Sequence, residues 1–390
     1  MAKKKSRSKA KKKTKPPALT RQQRSGPGTE PQEASPLFRI PRELREQIYS
    51  ELFSSTRLSH GEKAAGRIGC IRVVPAANSL ALLRTCRRVR DEIGDSWLGR
   101  VLFNFEHPEA LLDKLTALPH ETIQRIRQVR VRGDTIMLSY PGEDYDVYYR
   151  LVSALKLLPG LRLDRLTVLG LPSAEVRYDT LNRLVLEGDG WKELCYISHD
   201  SALLGYVESP NPFVPAQDDR YLRKPQPLHW QKVLEDRDGK SSAPSVTIYR
   251  STVPRGEASI FDPNLRKPYQ QNQPKDKKER EEYGRVEDAG LMTDGERHKE
   301  IMVIVKRGYH VDYEEKRNSP FVDSDIHMDL PGKTWKEIRT ICIDSLFDQD
   351  DDDDDFYSRD EADKDLGVKD SYISVDDYTW TPLHFNRDAW

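Results

Sequence analysis

Apolar residues recur every fourth position in a segment near the start of the chain. They stand at Ile40, Leu44, Ile48 and Leu52, and charged residues fill most positions between them. This spacing is typical of an amphipathic helix. Pro41 suits a first helical turn, where the missing amide donor costs no hydrogen bond. The pattern predicts a helix whose apolar stripe faces the core.

A second segment, residues 82–97, repeats the three-and-four spacing. Its apolar positions are Leu82, Leu83, Cys86, Val89, Ile93 and Trp97. Neither helix is long enough to be stable alone in water, so we expect the two to pack together in one small core. Cys86 then serves as a small apolar filler rather than a nucleophile. Between the helices, residues 67–74 alternate as a strand does.

Beyond Phe105, helical and strand patterns alternate. Helices are predicted over 107–118, 145–158 and 176–186, and strands over 128–132, 163–168 and 191–197. An apolar-x-x-apolar-x-apolar frame begins at Ile126, Leu163 and Trp191, in or just before each strand. Because parallel strands need crossover connections, the order predicts a parallel sheet with helices on one side. Two interpretations stay open: a degenerate leucine-rich repeat, or an ordinary mixed α/β domain.

The later chain contains the strongest strand signal, at residues 300–306. We expect this strand, within a returning segment 301–343, to join the same core. Residues 228–234 predict a short helix or strand, and residues 246–249 predict a strand. The polar stretch 261–300 is predicted to be a mobile insertion.

The two helical segments also carry a family resemblance. Residues 38–53 read FRIPRELREQIYSELF, residues 82–93 read LLRTCRRVRDEI, and FNF follows at 103–105. Together they resemble fungal F-box-like proteins. In that family an isoleucine- or leucine-proline-x-glutamate-leucine opening and a later leucine-x-x-cysteine-arginine helix build a three-helix module. That module docks on the Skp-type adaptor of cullin-RING ubiquitin ligases.

The resemblance implies an F-box-like module over residues 37–105, with a strand-bearing insertion at 54–78. The residues it implies for adaptor binding are Leu37, Ile40, Pro41, Leu44 and Ile48. The domain at 106–260 would then select a protein target, and catalysis would lie in other subunits. The alternative is that the same five residues are consumed by the protein's own core.

Charge is distributed very unevenly along the chain. Residues 1–24 carry eleven Lys or Arg and no acidic residue. A segment so charged cannot bury enough apolar surface to fold, so residues 1–36 are predicted to be a disordered basic arm. Such an arm suits nuclear import, through Lys3, Lys4, Lys5, Lys11, Lys12 and Lys13, or weak non-specific contact with nucleic acid. It therefore favours an alternative function, a nuclear or chromatin-associated scaffold.

The other end of the chain is acidic. Residues 344–390 contain sixteen Asp or Glu, six of them consecutive at 350–355. Mutual repulsion predicts a mostly disordered tail, able to pair with the basic arm or with a basic partner. Counted from Asp350, the oxygen spacing is partly that of a calcium loop, but Asp355 stands where such a loop needs glycine.

Candidate chemistry is sparse. The chain has no glycine-rich phosphate loop or nucleophile elbow, and its four cysteines lack the spacing of zinc ligands. His310 with Asp312 and His327 with Asp329 are more typical of polar loops than of metal sites. We therefore predict an α+β adaptor with no catalytic residue, cofactor, metal or membrane segment, located in the nucleus, the cytoplasm or both.

Overall fold

The computed structural model describes residues 35–64, 70–72, 80–142, 146–170, 174–205, 223–256, 258–276, 279, 283–316 and 325–344. The chain divides into two units, residues 1–47 and 48–390. The division falls inside the second helix.

Thirteen α-helices lie in the described residues. They are α1 (Pro36–Arg39), α2 (Arg42–Ser54), α3 (Leu82–Thr85), α4 (Arg87–Ile93), α5 (Pro108–Leu115), α6 (His120–Ile123), α7 (Leu151–Lys156), α8 (Ala174–Glu187), α9 (Ala202–Gly205), α10 (Leu228–Asp238), α11 (Ala289–Met292), α12 (Ile326–Asp329) and α13 (Trp335–Arg339).

Twelve strands lie in the same residues. They are β1 (Arg57–His60), β2 (Glu62–Ala64), β3 (Cys70–Arg72), β4 (Leu102–Phe105), β5 (Gln128–Arg132), β6 (Ile136–Ser139), β7 (Asp146–Tyr149), β8 (Leu163–Leu169), β9 (Trp191–Ser198), β10 (Ser245–Pro254), β11 (Arg266–Tyr269) and β12 (Lys299–Lys306).

Eight of these strands form one mixed sheet in the second unit, in the order β1-β4-β5-β8-β9-β12-β10-β11. The first five are parallel and follow chain order. The last three are antiparallel, and β12 lies between β9 and β10. The strand predicted at 300–306 thus occupies an interior position, which suits its run of apolar residues. The protein has a mixed α/β fold with a mostly parallel sheet.

The three apolar frames align across neighbouring strands. Val129, Leu166 and Leu194 form one cross-strand row of β5, β8 and β9, and Val131, Val168 and Tyr196 form the next. All six side chains are buried. Register in a parallel sheet is fixed by which residues face the core, so the repeated frame accounts for this alignment.

A single helical layer accompanies the sheet. Helix α5 contacts β4, β5 and α7, α7 contacts α8, and α8 contacts α10. Connections between parallel strands are almost always right-handed. When each new strand is added at the same edge of the sheet, right-handed connections place all their helices on one side, which accounts for this layer. A second apolar cluster, formed by Leu169, Cys195, Ile197, Ile260 and Met302, packs around the turn at Ser259–Phe261.

Two expectations differ from the structure. The helix expected at 145–158 begins only at Leu151, because Asp146–Tyr149 pairs with β6 as a hairpin strand. The stretch 261–300, expected to be a mobile insertion, contains β11, which pairs with β10 at the sheet edge. Its Gln271 and Leu291 are buried. Composition misled here because β11 is short and polar and is held in the sheet by hydrogen bonds with the preceding strand β10.

Candidate functional site

Helix α2 exposes the apolar side chains expected to face the core. Leu44 is 48% exposed, Ile48 45% and Leu52 42%. The buried positions are each one residue further along, at Arg45, Tyr49 and Phe53. The expected orientation was therefore wrong for Leu44, Ile48 and Leu52. These three side chains, spaced four residues apart, are called the α2 stripe below.

Specific contacts account for the buried side of α2. In the first unit, Arg45 donates from Nη1 to the carbonyl oxygen of Ile40 at 2.5 Å, and its guanidinium lies 5.5 Å from the centre of the Phe38 ring. In the second unit, Tyr49 donates its hydroxyl proton to Glu92 Oε2 at 3.3 Å. Tyr49 and Phe53 bury more surface than Leu or Ile would, and the Tyr49 hydroxyl has a hydrogen-bond partner. The side of α2 that carries these residues therefore packs inward.

The residues implied by the F-box resemblance differ in exposure. Pro41, Leu44 and Ile48 are exposed, whereas Leu37 and Ile40 are half-buried. Leu37 and Ile40 are joined at the end of α1, where the Ile40 amide donates to the Leu37 carbonyl at 3.3 Å. None of the five is wholly enclosed by the protein's own residues.

The helix expected at 82–97 is broken at Cys86. This residue is extended, with φ −157° and ψ 161°, and it separates α3 from α4. Its sulfur accepts the Val89 amide proton at 3.4 Å and so caps α4. The expectation that Cys86 is a buried apolar filler is corrected: the side chain is half-buried and acts as an N-cap.

A polar cluster stands at the carboxyl ends of the parallel strands β8 and β9. Arg177 of α8 is 1% exposed and donates to Ser198 Oγ at 3.1 Å and to Asp200 Oδ2 at 3.0 Å. His199 Nε2 lies 3.1 Å from Asp200 Oδ2. A Cβ at Gly170 would stand 3.0 Å from Arg177 Cδ, so any larger residue there would displace the arginine by a few tenths of an ångström. Ligands of α/β proteins often bind at this edge, so the cluster was considered as a site.

The contacts of the cluster link helix α8 to the end of strand β9. Burial raises the pKa of Asp200, but the hydrogen bonds and charges of His199 and Arg177 outweigh it and hold the pKa below its ordinary value. The Ser198 hydroxyl donates to the Asp200 carbonyl oxygen at 2.9 Å and so is not directed at His199 as a nucleophile would be. The arrangement keeps Asp200 ionised and joins α8 to β9.

Other sequence candidates are not brought together in the described residues. Those residues contain no group of three or more potential metal ligands. His327 Nδ1 lies 3.8 Å from Asp325, while Asp329 accepts the hydroxyl proton of Tyr149 instead. No described helix has both the length and the apolar character needed to cross a membrane.

Two predicted sites lie outside the described residues. The import residues Lys3, Lys4, Lys5, Lys11, Lys12 and Lys13 belong to one of them, and the acidic run 350–355 is the other.

Comparisons with known protein families, with curated proteins and with solved structures found no match to this chain. A function for the α2 stripe can therefore be inferred only from its geometry and its residues. Sequence reasoning missed the role of Leu52 as a surface residue, the cap at Cys86 and the Arg177–Asp200 tie. The first two could have been recognised from the sequence. Tyr49 and Phe53 are aromatic residues that favour burial, and the pair Thr85-Cys86 has low helix propensity.

Proposed function

We propose that the chain is a non-catalytic adaptor and that α2 binds the Skp-type adaptor of a cullin-RING ubiquitin ligase. The contact residues are Leu37, Ile40, Pro41, Leu44 and Ile48, extended by Leu52. The observation that supports the proposal is the exposure of the α2 stripe, at 48%, 45% and 42% for its three members. A helix with apolar residues at every fourth position facing water fits a hydrophobic groove of a partner.

Burial of the stripe would contribute to the free energy of binding. A half-exposed leucine presents about 80 Å² of apolar surface, and its removal from water contributes about 2 kcal/mol at ~25 cal/mol per Å². Loss of one such residue therefore weakens binding roughly thirtyfold. The same residues contribute little to folding, because they already face solvent.

The remaining parts have proposed roles in the same assembly. Helices α2, α3 and α4 form the F-box-like module, and β1–β3 belong to its insertion. The parallel strands β5, β8 and β9, whose apolar frames lie in register, form a degenerate leucine-rich repeat that selects the target protein. Ubiquitin transfer is performed by other subunits.

Binding of the full-length chain to a purified Skp-type adaptor tests the proposal. We expect the wild type to bind, and Leu44→Asp and Ile48→Asp to weaken binding at least thirtyfold, measured by calorimetry. Leu228→Asp is the matched control, because Leu228 is 45% exposed on α10 and lies outside the module. Thermal unfolding of all three variants should stay close to that of the wild type.

Two outcomes would contradict the proposal. One is a wild-type chain that does not bind the adaptor. The other is equal loss of binding in Leu44→Asp and Leu228→Asp. Salt-sensitive retention on nucleic acid that disappears on deletion of residues 1–24 would instead support the nuclear scaffold.

A further inference from the structure

Helices α3 and α4 carry exposed arginines that have no partner among the described residues. Arg84, Arg87 and Arg90 are all exposed. Their side chains form no hydrogen bond, ion pair or ring contact with any residue of the described chain. Arg88, by contrast, contacts Glu92 at 3.4 Å. Three cations within seven residues are thus left uncompensated, and they are called the arginine face below.

Several other arginines of the described chain have acidic partners. Elsewhere in the described chain, Arg150 contacts Asp179 at 2.6 Å, Arg237 contacts Asp189 at 2.5 Å, and Arg339 contacts Asp113. Within α3 and α4 the acidic residues are Asp91 and Glu92, and Glu92 is already engaged by Arg88 and Tyr49. The excess positive charge of the arginine face favours an acidic occupant.

The chain itself carries such an occupant. Asp350–Asp355 are six consecutive carboxylates that lie beyond the described residues. A guanidinium binds a carboxylate through two parallel hydrogen bonds, so arginine suits this partner better than lysine does. Covalent linkage also raises the effective concentration of the acidic segment to about the millimolar range, which makes weak individual contacts sufficient.

The acidic segment begins six residues after Asp344, the last described residue. Trp335 of α13 donates from Nε1 to Asp113 of α5 at 2.8 Å, and this contact anchors the last helix. Helix α5 packs on β4, and β4 follows α4 through the turn at Ser96–Gly99. From Asp344, an extended chain covers about 20 Å to Asp350 and about 37 Å to Asp355.

We propose that Asp350–Asp355 dock on Arg84, Arg87 and Arg90 of the same chain. The acidic segment neutralises the arginine face and is released at high ionic strength, where exposed charges are screened. The proposal is independent of the function proposed for α2.

A labelled peptide of residues 345–363 tests the proposal by fluorescence anisotropy at low salt. The receptor is the full-length chain in which all six residues 350–355 are changed from Asp to Asn, so that its own tail no longer competes. We expect this receptor to bind the peptide at least tenfold more tightly than the wild type does. Adding Arg84→Gln, Arg87→Gln and Arg90→Gln to the receptor should weaken binding at least tenfold, since each exposed pair contributes about two- to fivefold. Raising the salt to about 0.5 M should abolish binding.

A matched control removes three exposed cations elsewhere. Lys232→Gln, Lys267→Gln and Lys333→Gln on the same receptor should leave peptide binding unchanged, because all three lysines are exposed and none belongs to α3 or α4. If both triple variants lose binding equally, the attraction is to net charge and the proposal fails. It also fails if binding requires residues 1–24 and not the arginines, or if the arginine face binds a DNA duplex and not the peptide. Should the arginine triple variant unfold, Arg87→Gln and Arg90→Gln singly must each weaken binding at least twofold.

Discussion

The orientation of α2 is decided by individual side chains rather than by the count of apolar positions. Phe53 is fully buried and Tyr49 is 2% exposed, while the aliphatic residues one position earlier face water. A ring buries more surface than a leucine, and Tyr49 gains a hydrogen bond with Glu92. Arg45 joins the buried side because its guanidinium finds a carbonyl oxygen and a ring in α1.

The substitutions Phe53→Ala and Leu52→Ala test the buried side and the exposed side of α2 separately. We expect Phe53→Ala to lower the free energy of unfolding by about 3–5 kcal/mol, because it leaves a cavity in the core. Leu52→Ala should cost under about 1 kcal/mol, since the leucine is 42% exposed. Urea denaturation measures both values, and equal losses would show that the stripe is part of the core.

At the scale of elements, the break between α3 and α4 shows how a local cap overrides a helical pattern. Cys86 leaves the helical region of backbone conformation, and its sulfur replaces the missing partner of the Val89 amide. Sulfur is a weak acceptor, so this cap is weaker than one formed by a hydroxyl oxygen.

Cys86→Ser therefore preserves the break and strengthens the cap. We expect it to leave the free energy of unfolding unchanged or raise it by about 0.5 kcal/mol, because serine is a preferred N-cap residue. Cys86→Val should lower it by about 1 kcal/mol, since valine has a similar size and no acceptor. Thermal unfolding compares the two variants. A larger loss in Cys86→Ser than in Cys86→Val would mean that the sulfur matters for apolar packing instead.

At the scale of the whole molecule, buried polar groups join elements far apart in sequence. Arg177 and Asp200 connect α8 to the end of β9. Glu300 of β12 accepts hydrogen bonds from the Ala258 and Ile260 amides and so fixes the turn after β10. Burial raises the pKa of Glu300 despite these bonds, whereas the pKa of Asp200 is held below its ordinary value.

The lowered pKa of Asp200 predicts a pH dependence of stability. Because the folded-state pKa is below the ordinary value of 3.8, the contribution is fully present above that value and is lost as the pH falls through the folded-state pKa. The raised pKa of Glu300 changes the stability with pH in the opposite direction. The test therefore compares the free energy of unfolding of wild type and of an Asp200 variant at each pH. We expect Asp200→Asn to be less stable than wild type at pH 7 and the gap to narrow below about pH 4. Chemical denaturation at several pH values measures it, and a gap that stays constant down to pH 2 would contradict the prediction.

Local residue patterns were enough to predict the strands at 128–132, 163–168, 191–197 and 300–306, and the alternation of helices with parallel strands. The reason is physical: each of these strands is buried, so its apolar residues must recur at strand spacing wherever the chain places it. The residues of the repeated frame stand side by side in neighbouring strands, because register follows the buried face.

Contacts made on folding set which side of α2 is buried, where α4 begins and which strand pairs with β11. These depend on neighbours contributed from elsewhere, such as Glu92 beside Tyr49 and β10 beside β11. Local spacing carries no information about such neighbours. For the same reason, the stripe that the sequence assigned to the core became the most exposed apolar surface of its helix.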